Sequence, residues 1–274
     1  RLATGRAARN RRRPEHEGNA VAIVTEIAGT RAAWELTGAD VLTSPALRGS
    51  VAVEPSQLAA VFEQLRLSPP ASVEPSELGT FTLTAQFSLQ AGPQLIQVSD
   101  VNAELLGMRV NGEGSLSAGN ELAGHVVIGE FTANSAVQAL LRAAVPPTVD
   151  VSALGTLGVD THFDTNLETG PAALRDLKLT ALGATVTGSL EGLPGERGNI
   201  FRGTLGTSRF SAEVMAKAFA ALLPPDLAAS ELGMVELETR FELDSAADTL
   251  TVAPPRAEAC GLGARGEVRA PHRS

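Results

Sequence analysis

Three groupings in this 274-residue chain hold residue types able to do chemistry. Gly261-Leu-Gly-Ala-Arg-Gly266 matches G-x-G-x-x-G, the loop that lets backbone amides approach a pyrophosphate. That reading needs a helix opening at its end and an acid about 20 residues further on. Only eight residues follow Gly266 here, and the segment occupies the turn-and-strand slot of a repeat described below, so no dinucleotide site is expected. Asp160, His162 and Asp164 alternate, which places all three on one face of a strand, where they could gather around a cation. The slots 76 residues upstream and 78 downstream hold Thr84, Gln86 and Ser88, and Glu238, Arg240 and Glu242. No common chemistry survives that comparison, and the segment reads as a solvated face. The remaining histidines, His16, His125 and His272, have no metal-ligand spacing. The single cysteine, Cys260, excludes an intrachain disulfide and a cysteine-based metal centre. It takes the slot of Leu106 and Leu182 and, like the single Trp34, reads as a packing residue. No nucleophile elbow, phosphate loop or acid pair is present. The chain is therefore expected not to be an enzyme and to carry no cofactor or metal.

Charge narrows the partners. The formal net charge is −9, yet six arginines and no acid fall within residues 1–13, leaving 16 basic against 31 acidic residues in the remainder. An acidic body repels phosphate, which excludes a nucleic-acid partner. The arginine cluster reads as a solvated, disordered tail. No apolar run approaches the ~18 residues of a membrane span, and no signal-peptide pattern is visible.

The elements that position these residues recur. Pro69-Pro70, Pro146-Pro147 and Pro224-Pro225 mark three copies of one cassette. Each is followed by Ser-x-Leu-Gly (Ser76–Gly79, Ser152–Gly155, Ser230–Gly233) and by a Phe in an alternating run (Phe87, Phe163, Phe241). Glycine pairs then close each copy: Gly107/Gly112, Gly183/Gly188 and Gly261/Gly266. The period is about 77 residues, and such a period means stacked units that build a shared surface. Each unit is expected to open with a short strand (49–53, 124–128, 203–207) followed by a helix. The apolar stripes of these helices are Leu58, Val61, Phe62, Leu65; Val137, Leu140, Leu141, Ala144; and Met215, Ala218, Phe219, Leu222. Thr132 and Ser211 are placed to cap helices two and three, and the Pro pairs to stop them.

A strictly alternating strand comes next, sharpest at Val235, Leu237, Thr239, Phe241 and Leu243 against Glu236, Glu238, Arg240 and Glu242. Two further strands close each unit: 95–105 and 108–116, 174–182 and 184–190, 249–259 and 264–269. Gly112 and Gly188 inside the last strand mark a bulge or a close approach. The chain divides into a basic tail (1–19), a partial unit of strands (20–47), three full units (48–120, 121–198, 199–270) and a short end (271–274).

Coverage decides what the sheet needs. Four strands of about 8 residues present roughly 500 Å² per face. A helix of about 11 residues shades roughly 160 Å². Two thirds of the apolar face then needs another partner, either the sheet itself in a sandwich or an apolar guest. The expected fold is α+β, mainly β: a repetitive antiparallel sheet with one short helix per unit, curved into an elongated apolar groove. Phe81, Leu83, Phe87, Val159, Phe163, Val235, Leu237 and Phe241 are the candidate lining residues.

Residues 48–270 resemble the AsmA-like family of bacterial envelope proteins. The likeness is carried by Leu122–Phe131, Pro146-Pro-Thr-Val-Asp150, Ala153-Leu154 and Leu177–Gly188, and by the matching stretches of the other units. The resemblance implies a periplasmic, β-rich protein held in the inner membrane by an N-terminal helix. The family is similar to bridge-like lipid-transfer proteins, whose trough shields phospholipid acyl chains and serves outer-membrane homeostasis. Other envelope proteins are then further expected partners, and no family catalytic residue exists to carry over. The family's membrane helix is not found in these residues; of a soluble protein and an internal piece of a longer one, the Arg1 start and the incomplete unit at the front favour a piece. The alternative is a closed, non-enzymatic repeat scaffold or protein-interaction array.

Overall fold

A computed structural model describes residues 20–27, 30–39, 46–64, 73–90, 94–144, 149–195, 199–211, 213, 233–245, 249–253, 256–259, 262–264 and 268–271. Cys260, His16, His272, the Pro pairs, Leu65 and the whole apolar stripe expected of helix three lie outside the described residues. The fold is mainly β, with antiparallel pairing throughout and few helices. The chain divides into two compact units, residues 1–129 with 134–136, and residues 130–133 with 137–274.

Unit 1 is a meander. β1 (Ala20–Ile27), β2 (Thr30–Ala39) and β3 (Ala46–Gln57) pair in sequence. Helix α1 (Leu58–Gln64) and a 3₁₀ turn (Pro75–Leu78) then intervene before β4 (Thr80–Gln90), which pairs back onto β3. β5 (Leu95–Leu105), β6 (Met108–Leu116) and β7 (Glu121–Thr132) follow in order. The boundary between the two units falls inside β7.

Helix α2 (Ser135–Ala144) and a second 3₁₀ turn (Val151–Leu154) repeat the α1 arrangement. In unit 2, β8 (Thr156–Asn166), β9 (Ala172–Ala181), β10 (Ala184–Pro194) and β11 (Asn199–Thr207) form the second meander. β12 (Phe210–Ser211) continues the line of β11 along β13 (Met234–Asp244). The third copy breaks up: β14 (Thr249–Val252) and β15 (Arg256–Ala259) share β13, and pair onward with β17 (Val268–Pro271) and β16 (Leu262–Ala264) respectively. The G-x-G-x-x-G segment contains β16, a ladder strand.

Each landmark has a local cause. In the first two copies Ser-x-Leu-Gly lies in the 3₁₀ turn, ended by a glycine at positive φ: Gly79 at 64° and Gly155 at 70°. Asp150 starts the second such turn, accepting from the Ser152 hydroxyl at 2.6 Å and its amide at 2.9 Å. Those bonds hold the Asp150 carboxyl below its ordinary range, the hydroxyl contributing most. In the first two copies the first glycine of the pair closes a two-residue hairpin. Leu106-Gly107 and Leu182-Gly183 are all at positive φ, as a turn matched to right-handed strand twist requires. In the first two copies the second glycine marks a close approach: a Cβ on Gly188 would run into the Thr204 carbonyl oxygen, and one on Gly112 would lie 2.8 Å from that of His125.

A further device recurs in the middle strand. β5 gains one residue relative to β4 between Val98 and Val101, and β9 gains one relative to β8 between Leu174 and Leu177. Asp100 and Asp176, 76 residues apart, hold the extra residue at φ 50° and 52°. One inserted residue reverses the side-chain parity of a strand. Ile96 and Val98 thereby join Ala103 and Leu105 on one face, and Ala172 and Leu174 join Leu177 and Leu179.

Three expectations are corrected. Thr132 ends β7 and does not cap α2; Asn134 directly precedes the helix and its amide donates to the Leu106 carbonyl at 2.9 Å. The α2 stripe also departs from its angular reading. Ala136, Val137 and Ala139 are buried, whereas Leu140, on the same side one turn on, is 36% exposed. Depth along the axis, and not angle alone, sets burial here. The short opening strands also run longer than 49–53, 124–128 and 203–207, because Gly49, Gly124 and Gly203 lie inside paired ladders.

Most buried side chains lie toward one end of each unit, with Ala85 and Thr161 buried mid-strand. In unit 1 the side chains of Leu58 on α1, Val73, Leu78 on the 3₁₀ turn and Leu106 in the β5–β6 hairpin are buried. Leu58 N–H donates to Gly79 O at 2.9 Å, and α1 packs on the 3₁₀ turn and β3. In unit 2, Val151, Leu157, Ala184 and Phe210 are the counterparts, with Leu182 N–H donating to Leu154 O at 2.7 Å.

Candidate functional site

The residues opposite one another across a ladder share a face, so the pairings define what each side of the sheet presents. In unit 1 one rung reads Ala32, Val53, Leu83, Ala103, Val110, Ile128 across β2 to β7. Another reads Gly38, Leu47, Leu89, Ile96, Leu116, Leu122. Between them lies Leu36, Gly49, Phe87, Val98, Gly114, Gly124. Phe87 fills space its neighbours leave empty: a Cβ on Gly49 would meet its Cζ at 2.8 Å. Trp34 packs edge-on to the same ring at 6.2 Å and donates from Nε1 to Thr25 Oγ1 at 3.0 Å.

Unit 2 builds the same surface. One rung reads Phe163, Leu174, Leu190, Gly203, Phe241, Val252, Val268 from β8 to β17. Phe241 lies over Gly203 as Phe87 does over Gly49, with Cζ 2.8 Å from where a Cβ would stand. Val159 continues through Leu179 and Val186. Leu237 and Val235 face Ala257 and Ala259.

The candidate lining residues thus fall on apolar rungs: Phe81, Leu83 and Phe87 in unit 1, and Val159, Phe163, Val235, Leu237 and Phe241 in unit 2. All eight are half-buried. Phe81 sits at the core end, opposite Ser56 and Leu105, and is the least central of them. Among the described residues no large side chain is fully buried, and Leu89 and Ile96, at the end away from α1, are 37% and 40% exposed. In unit 1, α1 packs on the 3₁₀ turn and on β3.

The opposite face is polar and charge-paired. Arg175 meets Asp164 at 3.0 Å, Arg202 meets Glu242 at 2.8 Å, and Arg209 meets Glu236 at 3.1 Å. Lys178 stands opposite Asp160 in the ladder, and Asp176 approaches His162 Nδ1 at 3.6 Å. The Asp160–His162–Asp164 series is therefore shared out among cations and a bulge carboxylate. Among the described residues no three metal-ligating side chains converge.

Sequence reasoning passed over the residues that stabilise the bulge. Thr161, buried, donates its hydroxyl toward the Arg175 carbonyl at 3.1 Å; Thr239 does the same to Ala253 at 3.2 Å. The signal was the period itself, since Thr161 and Thr239 are 78 residues apart and Asp100 and Asp176 are 76 apart. No helix among the described residues is long and apolar enough to cross a membrane. The chain matches no family model, no curated protein and no solved structure.

Proposed function

We propose that this chain is a lipid-shielding segment of an AsmA-like envelope protein. In this reading the apolar faces line a groove that holds phospholipid acyl chains while head groups stay wet. The protein acts in the periplasm in lipid transport to the outer membrane, anchored in the inner membrane through a segment outside these residues. It performs no catalysis.

One observation carries the reading: apolar rungs cross six or seven strands, yet the large side chains among the candidate lining residues are only half-buried. A closed scaffold would bury those rungs fully. Each methylene moved from water onto such a face gains roughly 0.8 kcal/mol, so a few methylenes hold a chain in place.

The test is mass spectrometry of an organic extract of the purified protein, paired with Phe163→Asp. We expect phospholipid in the wild-type extract and its loss in the variant, whose melting curve should match that of the delipidated wild type, because Phe163 is only half-buried. Global unfolding of the variant would instead reveal a sealed core, where an unpaired charge is costly. A wild-type extract free of lipid would refute the proposal.

A further inference from the structure

β1 is a strand with one ladder and two edges. It pairs residue for residue with β2, from Ala20 opposite Thr37 to Ile27 opposite Thr30. The repeat shows what belongs on its other edge. Ile27 and Thr30 bracket a two-residue connection that includes Gly29, in the slot of the Leu106-Gly107 and Leu182-Gly183 hairpins. β1 is thus the counterpart of β5 and β9. β5 is flanked on its second edge by β4, and β9 by β8, the Phe-bearing strands. Among the described residues no such strand flanks β1. Residues 4–14, which fall at that phase of the repeat, carry five arginines and no alternating apolar series. Val21, Ile23 and Val24 are meanwhile 49%, 39% and 47% exposed.

We propose that the outer edge of β1 is a strand-addition site for an extended Phe-bearing strand of the β4 and β8 type, supplied by a further repeat outside these 274 residues. A second copy of this chain is a poor donor, because its own Phe-bearing strand β4 is paired on both edges. β1 has no inserted residue, so counting back from the hairpin puts the incoming Phe opposite Val21. There it extends the rung of Leu36, Gly49 and Phe87 by one strand. Next to a two-residue hairpin the flanking pair is the hydrogen-bonded one, so Ala22, Val24 and Glu26 turn their amides outward. Main-chain bonds to those residues supply affinity, and the alternate apolar positions supply selectivity.

The experiment titrates a fluorescent peptide of residues 80–90 into the full chain and reads amide hydrogen exchange. Saturable binding is expected, with new protection at Ala22, Val24 and Glu26 and unchanged exchange at the inward amides. Val24→Pro removes an outward donor without touching the β1–β2 ladder and is expected to weaken binding at least about tenfold. A peptide with Phe87→Ser should bind more weakly to the wild-type chain, which keeps the test open should Val24→Pro misfold. Binding that protects no β1 amide, binding unaffected by both changes, or an edge occupied by a second copy that the peptide cannot displace would each overturn the proposal. Lipid extraction is a separate readout, so this site and the lipid reading fail independently.

Discussion

Thr161 stabilises the bulge with a single hydroxyl. An inserted residue leaves backbone groups without ladder partners, and a buried carbonyl without a donor costs about 1–3 kcal/mol. Thr161 Oγ1 reaches both the Arg175 and His162 carbonyls, at 3.1 and 3.2 Å, from a position only 4% exposed. Valine has the same shape and no donor. We expect Thr161→Val to lower unfolding stability by about 1–3 kcal/mol in urea titration, with Thr161→Ser recovering most of it. A valine variant as stable as the wild type would show that the hydroxyl does not hold the bulge. In the first copy the slot is Ala85, so the device is a refinement of the bulge and not its cause.

At the scale of the element, the bulge is what lets an irregular sequence present a regular face. Alternation in β4 and β13 is plain in the sequence, and these strands were legible to within a residue or two, as were β5 and β6. The parity slip in β5 and β9 was not, because Ile96 and Val98 sit on even positions and Ala103 and Leu105 on odd ones, and only the cross-strand register reveals that they share a side. The candidate site was legible on the strands that lack an insertion. Its remaining rungs needed the ladder, and α2 burial needed depth along the axis. Asp176 at φ 52° makes the slip testable. Asp176→Gly relieves left-handed backbone strain and should be near neutral, whereas Asp176→Val should cost about 1–2 kcal/mol, since a β-branched residue resists that conformation. Both variants lose the contact to His162, so the difference between them reports the backbone alone. Deleting Asp176 restores continuous pairing but turns Ala172 and Leu174 to the wet face. Increased binding of an apolar dye and a lower denaturation midpoint are expected, and a deletion variant indistinguishable from wild type would refute the parity role.

For the molecule as a whole, the opposition between its two faces determines what can stabilise it. The ion pairs of the polar face are solvent-exposed, and pairs of that kind contribute at most about 1 kcal/mol each and fade with salt. The half-buried rungs are the larger reserve, because apolar area still in water gains free energy when a guest covers it. A monomeric lysophospholipid below its micelle concentration should therefore raise the melting temperature, whereas strong salt should shift it little. A ligand that binds only the folded chain stabilises by about 2.7 kcal/mol at one hundred times its dissociation constant. Burial of apolar surface also predicts a negative heat-capacity change in calorimetric titration. Phe87 lies in unit 1 and Phe163 in unit 2, so Phe87→Asp and Phe163→Asp should each remove part of the lipid-induced rise and the double variant nearly all of it. A melting temperature indifferent to the lipid at every concentration would mean that the rungs take no acyl chain.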